Sequence, residues 1–236
     1  MSNPVFRCTD LTPDRVQLDG AEGRHASTVK RLRAGEQVDL VDGTGTRCTC
    51  TVVSTRPGSV LLDVVSRLHE PAPSPRLTLV QALAKGDRGE LAVELATEVG
   101  VDEIVPWAAA RCVQQWQGER GARALEKWRS TARAAAKQSR RAWWPVVGEM
   151  VRLDAVLRLP GQLIVLHEGA QEPLSAVELS GDVVLVVGPE GGLTPDELDS
   201  LQTAGGHVVR LGRTVLRTST AGAVAAAVVS ARTGRW

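Results

Sequence analysis

Hydrophobic and polar positions change their period near residue 75. Before it the period is two. Gln37–Val41 reads as a strand, Asp42-Gly43 as a hairpin turn, and Arg47–Val53 alternates like a half-buried strand. A second turn at Arg56-Pro57-Gly58 leads into Ser59–Val65, and a short helix is predicted between Gly23 and Arg33. Residues 1–68 therefore read as a small barrel-like β module. His69–Pro75 has three prolines in seven residues, which suits neither a helix nor a central strand. Residues 69–76 are predicted to be a linker.

Over 77–236 strands alternate with helices. Leu77–Leu83, Glu103–Pro106, Leu163–His167, Val183–Val187 and His207–Leu211 read as strands, with a further one at Ala110–Trp116. Asp87–Val99 reads as a helix with Leu91, Leu95 and Val99 on its apolar face and Gly100 ending it. Glu119–Arg141 reads as a long helix with Leu125, Trp128 and Ala132 turned to the core, stopped before Pro145. Repeated β and α elements imply an α/β fold, a mostly parallel sheet with helices on both faces.

Two stretches break this pattern in a way that suits chemistry. After Val183–Val187 come Gly188-Pro189-Glu190-Gly191-Gly192, then a helix start with Thr194 as N-cap, Pro195 in the first position and Glu197 in the third, a capping box. Such a junction aims free N–H groups at one point. Taken by itself it is either a ligand loop or a tight turn. It is neither a dinucleotide fingerprint nor a phosphate loop, since no Gly-Lys-Ser/Thr follows. The second stretch, Leu211–Ala221, again runs from a strand through a short loop into an Ala/Val-rich helix, so the two loops can form one pocket.

Composition adds limits. No stretch approaches the ~20 apolar residues of a membrane span, and the N-terminal residues carry no apolar signal segment, so neither membrane nor export is expected. Cys8, Cys48, Cys50 and Cys112 form no Cys-x-x-Cys, and four scattered histidines have no ligand spacing. Reduced thiols in a cytoplasmic protein and no metal are the expectation. Net charge is only +1, but Arg120–Arg141 holds eight basic residues against one acid, Glu126. At helical spacing this is either a nucleic-acid-binding stripe or a solvated face.

The motif G-P-E-G-G-x-[ST]-x-x-E followed by L-G-x-x-[IVL]-L-R-x-x-T-A resembles the RsmE family of RNA methyltransferases. Gln81–Val101 is similar to that family's opening of the catalytic domain. Ala135–Arg141 is similar to its A-x-x-Q-x-x-R segment, and His25 with Val29-Lys30-Arg31 to its N-terminal H-x-x-x-V-L-R, with Lys30 in place of Leu. The resemblance covers nearly the whole chain. It implies a SPOUT-type trefoil-knotted α/β domain, a PUA-like RNA-binding module before it, and a homodimer. It implies methyl transfer from S-adenosyl-L-methionine to N3 of a uridine in 16S ribosomal RNA, within the assembled small subunit.

The resemblance also implies roles. Cofactor contacts fall on Leu166, His167 and Glu168, on Gly188, Pro189, Glu190, Gly191 and Gly192, and on Leu211, Gly212, Val215, Leu216 and Thr218. Leu211 and Leu216 are alternatively plain core. Arg217 is the candidate for stabilising the uridine anion, and Glu190 for acting as base, holding substrate or organising its loop. RNA contacts are expected at His25, Arg31, Arg33, Lys85, Arg133, Lys137, Gln138 and Arg141. Trp143 and Trp144 are either stacking partners for RNA or packing residues. Ser219 stands where the family often has Glu and is expected to cap the last helix. Rival readings are another SPOUT activity (ribose 2′-O or tRNA methylation), a non-catalytic RNA-binding assembly factor and, at a distance, a dehydrogenase.

Overall fold

The computed structural model describes residues 3–236. The chain falls into two units, Met1–Ala72 with Ala136–Trp144, and Pro73–Ala135 with Pro145–Trp236.

The first unit is built on a five-stranded sheet. Its strands are β1 (Val5–Arg7), β2 (Arg15–Leu18), β3 (Gln37–Val41), β4 (Thr46–Arg56) and β5 (Ser59–His69), in the order β1-β3-β4-β5-β2. The period-two pattern sends Val38, Leu40, Cys48, Cys50, Val60 and Leu62 to one interior, where each is fully buried with Phe6. Register shifts at Thr49/Cys50 and Val52/Ser54 mark bulges in the long β4–β5 pair. Bulges bend strands, and they curl this sheet around its core. β5 runs on to His69 because Thr46 still offers it a partner, so the first residue of the expected linker lies in a strand. The expected 23–33 helix begins earlier and ends earlier. It is α1 (Gly20–Arg24) continued by a π-helical turn, His25–Val29, and Arg31 takes a left-handed φ of 54°.

Residues 136–144 belong to this unit although they lie far along the chain. The expectation of one uninterrupted domain over 77–236 is amended there. The Trp143 indole donates to Glu70 O at 2.9 Å, and Trp144 N donates to Gly43 O at 3.0 Å. A Cβ on Gly45 would stand 2.6 Å from the Trp143 ring, so the turn needs glycine there. The tryptophan pair packs on this turn.

The second unit holds a six-stranded sheet. It comprises β6 (Leu77–Ala82), β7 (Glu103–Trp107), β8 (Val146–Val147), β9 (Gln162–Leu166), β10 (Val183–Val187) and β11 (His207–Val209), in the order β11-β9-β10-β6-β7-β8. Every pairing is parallel. Leu77, Leu79, Leu185 and Val187 face a layer made by α2 (Arg88–Glu98), α3 (Gly118–Gln138) and α6 (Thr218–Thr233). Val80, Ala82, Val184 and Val186 face α4 (Leu153–Val156) and α5 (Pro195–Thr203). Burial on both faces explains the unbroken apolar runs of β6 and β10.

Three expectations change here. α2 buries Ala92, Val93, Ala96 and Thr97, while Leu91 is 43 % exposed. Its neighbour is α6, whose Gly222 lies against the sheet: a Cβ there would stand 2.8 Å from Leu79 Cδ1 of β6. Residues 110–116 form no strand; they run as an irregular segment that holds the glycine loop. α3 keeps Leu125, Trp128 and Ala132 buried as expected but ends at Gln138, and Arg140 follows at a φ of 57°. No helix among the described residues is long and apolar enough to cross a membrane.

Candidate active site

In a parallel sheet all strand carboxyl ends open on one side, and ligands bind there. The loops after β9, β10 and β11, with the start of α2, enclose a cleft of about 340 Å³. Leu166, His167, Glu168, Gly188, Pro189, Glu190, Gly192, Leu211, Gly212, Val215, Leu216, Arg217 and Thr218 all line it. Of the expected loop residues Gly191 alone does not. Its carbonyl accepts from Arg111 Nη1 at 3.0 Å, and a Cβ on it would meet Arg111 Cβ at 3.2 Å. Arg88, Arg210 and Arg213 also line the cleft and were not singled out by the sequence.

The glycine loop is held from three sides. Arg111 Nη1 also donates to Leu193 O at 3.1 Å. Lys85 N donates to Glu190 Oε1 at 3.0 Å, which gives the loop-organising role of Glu190 an observed bond. Thr218 Oγ1 donates to Gly188 O at 2.8 Å. The expected capping box is present: Glu197 N donates to Thr194 Oγ1 at 3.2 Å, and Thr194 N to Glu197 Oε2 at 2.9 Å. The other carboxylate oxygen of Glu197, itself 6 % exposed, accepts from Ala110 N at 2.7 Å. A helix cap thus doubles as an anchor for residues 110–111. Gly192 has φ 70°, and a Cβ on Gly188 would lie 2.9 Å from Leu193 Cδ2. A side chain at Gly188 would have to displace Leu193, and at Gly192 it would strain the backbone.

Behind the loop, Gln81 is fully buried and its Nε2 donates to Thr218 Oγ1 at 3.0 Å. Thr218 therefore lines the cleft with its hydroxyl already committed. His167 Nδ1 accepts from Gly169 N at 3.1 Å, so the neutral ring carries its proton on Nε2. Leu211 and Leu216 are half-buried, and Val215 is 77 % exposed. Arg217 is the N-cap of α6, and its side chain makes no cap bond. Ser219 is not a cap. It is the second residue of α6 and 3 % exposed, and a capping hydroxyl must precede the first helical residue.

The expected RNA residues are divided between the units. His25, Arg31, Arg33, Lys137, Gln138 and Arg141 lie in the first, Lys85 and Arg133 in the second. Arg31, Arg33, Lys85 and Gln138 are exposed. His25 stands edge-on to Phe6 with ring centroids 5.6 Å apart, and burial with the nearby Lys137 charge lowers its pKa. Lys137 Nζ is bound to both oxygens of Glu22, at 2.7 and 2.8 Å. Burial pushes the Cys50 thiol up to about 12, so it is held protonated. Among the described residues no three His, Cys, Asp or Glu side chains gather as a metal site.

The chain thus joins a parallel α/β unit, with a glycine-loop cleft at its strand ends, to a small curled β unit. Residues 70–230 match the RNA methyltransferase domain family and residues 18–65 the RNA methyltransferase PUA domain family. The ribosomal RNA small subunit methyltransferase E of Mycobacterium bovis is 46 % identical, covering 96 % of this chain and 91 % of its own length. The Bacillus subtilis protein of that name is 27 % identical over 95 % of both chains. A crystal structure of the Neisseria gonorrhoeae enzyme of that name, bound to S-adenosyl methionine, superposes with a TM-score of 0.89 at 27 % identity over 98 % of each chain. This chain belongs to the ribosomal RNA small subunit methyltransferase E family.

Proposed function

We propose that this chain transfers the methyl group of S-adenosyl-L-methionine to N3 of a uridine in the 16S RNA of the small ribosomal subunit. The observation that carries the reading is the cleft itself. It is assembled from the two C-terminal motif loops at the ends of β9, β10 and β11. Its size suits a small-molecule ligand, and family membership supports both the cofactor and the substrate class. The donor set fits this cofactor, which carries a sulfonium, an ammonium and one carboxylate. Glu168 and Glu190 line the cleft and offset its positive charge, and Leu211 and Leu216 supply apolar wall for its adenine.

The bound cofactor supplies an activated methyl group, so the protein needs no covalent intermediate. What remains for the protein is to hold the uracil in line with that methyl group and to stabilise the anion left when N3 loses its proton. Arg217 lines the cleft, and its guanidinium is the candidate for stabilising the anion. The free oxygen of Glu190 is the candidate proton acceptor, its other oxygen being engaged by Lys85 N. The curled unit binds the RNA. A homodimer, a trefoil threading of the last segment and a cytoplasmic location complete the reading.

The test is methyl transfer from labelled S-adenosylmethionine to small ribosomal subunits that lack their own methylation, with the product nucleoside identified by mass spectrometry. N3-methyluridine at one site is expected. A ribose-methylated product would overturn the target atom, and RNA binding with neither transfer nor cofactor binding would reduce the chain to a binding module.

A further inference from the structure

The positive charge along α3 is largely cancelled in the fold. Lys127 Nζ lies 3.0 Å from Glu90, Arg129 2.7 Å from Glu149, Arg133 2.5 Å from Glu126 and Lys137 2.7 Å from Glu22. Three of these acids lie outside the α3 sequence, so the basic run overstates the free charge of this helix. Unpaired charge gathers elsewhere. Among the described residues no acceptor meets the guanidiniums of Arg88, Arg213 or Arg217, and all three line the cleft. Arg210, the fourth arginine of the lining, donates to Ala170 O at 3.3 Å.

We propose that Arg88 and Arg213 clamp the RNA backbone phosphates flanking the target nucleotide. The inference rests on the methyltransferase reading and adds a substrate contact to the same site. Arg88 is the first residue of α2, which follows β6, and Arg213 lies in the loop after β11. In the strand order β11-β9-β10-β6 these are the outer two of the four strands, so the pair brackets the cleft. Arg88 is half-buried, and a guanidinium held so with no internal acceptor is costly unless a ligand completes it; its planar fork matches a phosphate. The cofactor is a poor match for this charge, being itself net positive. A phosphodiester is anionic, and two of them flank every internal nucleotide.

The experiment measures affinity for a small-subunit RNA fragment across a salt series, with cofactor affinity measured in parallel by calorimetry. Arg88→Gln and Arg213→Gln are compared with the unmodified chain. Arg158→Gln, which alters an exposed arginine of the α4 end ion-paired to Asp154, serves as control. Each cleft variant is expected to lose about tenfold in RNA affinity and about one unit of salt slope, with cofactor affinity within about twofold. Arg88→Lys is expected to keep the salt slope. An unchanged slope in folded variants overturns the clamp. So does a loss of cofactor affinity with RNA binding intact, which places these side chains on the cofactor's carboxylate. Arg213 is exposed in a loop, so its variant stays informative if Arg88→Gln fails to fold. Methyl transfer by the unmodified chain tests the underlying reading separately.

Discussion

Gln81 and Thr218, 137 residues apart, meet in a buried hydrogen bond of 3.0 Å, and the Thr218 hydroxyl in turn donates to Gly188 O at 2.8 Å. The end of β6, the start of α6 and the glycine loop are thereby fixed to one another behind the cleft. Thr218→Val keeps the shape but strands two buried polar groups, and it is expected to lower stability by about 1–3 kcal/mol. Adding Gln81→Met to Thr218→Val should cost less than the sum of the two single changes, because one partner no longer waits for the other. Denaturant unfolding of the four proteins measures this coupling; strict additivity would show that the bond carries no weight.

Arg217→Ala is expected to abolish methyl transfer while cofactor affinity changes by less than about tenfold, ~1.4 kcal/mol. Its side chain has no hydrogen-bond or ion-pair partner among the described residues, so the fold should not suffer. Single-turnover kinetics with calorimetry separates the two effects. A loss of cofactor binding would make Arg217 a pocket wall.

Gly45→Ala places a methyl group 2.6 Å from the Trp143 ring at a φ of 104°. It should destabilise the first unit by about 2 kcal/mol and loosen residues 136–144. Hydrogen exchange reports the loosening directly. In a Trp143→Ala background the steric part of the penalty should vanish and the backbone part remain.

Arg235 closes the C-terminal end of the second unit. Its guanidinium, 7 % exposed, pairs with Asp102 at 2.7 Å and donates to Gly100 O at 2.7 Å and to Pro75 O. Arg235→Met is expected to lower stability by about 3 kcal/mol, since breaking a buried pair leaves the remaining charge poorly compensated. Thermal unfolding tests it, and a shift no larger than that of an exposed arginine such as Arg158 would count against the role.

Much of the architecture was legible because period is a local property. Strands β3 and β10 fall where the pattern set them, and so does the Thr194–Glu197 capping box, whose geometry needs only four consecutive residues. The cleft was legible through two long motifs, whose glycines and apolar residues sit at fixed short spacing. Arg88 was not legible, because nothing nearby in sequence marks it as lining a cleft built by residues 166–221. Leu91 was misassigned because a helix's apolar stripe does not say which of its faces the neighbouring elements cover; the buried side of α2 is the one with Ala92, Val93 and Ala96.

The sequence alone determined the two kinds of unit, the parallel sheet and the motif loops, since each follows from local spacing and backbone preference. Tertiary structure decided the rest. It returned residues 136–144 to the first unit, committed the Thr218 hydroxyl to Gly188, paired Lys127, Arg129 and Lys137 of α3 with carboxylates outside that helix, and left Arg88 and Arg213 without an acceptor among the described residues. Charge and hydrogen bonding act through space, over a few ångströms, between residues that the chain separates widely, by 137 positions for Gln81 and Thr218. Only the folded arrangement shows which polar groups find partners and which remain free for a ligand.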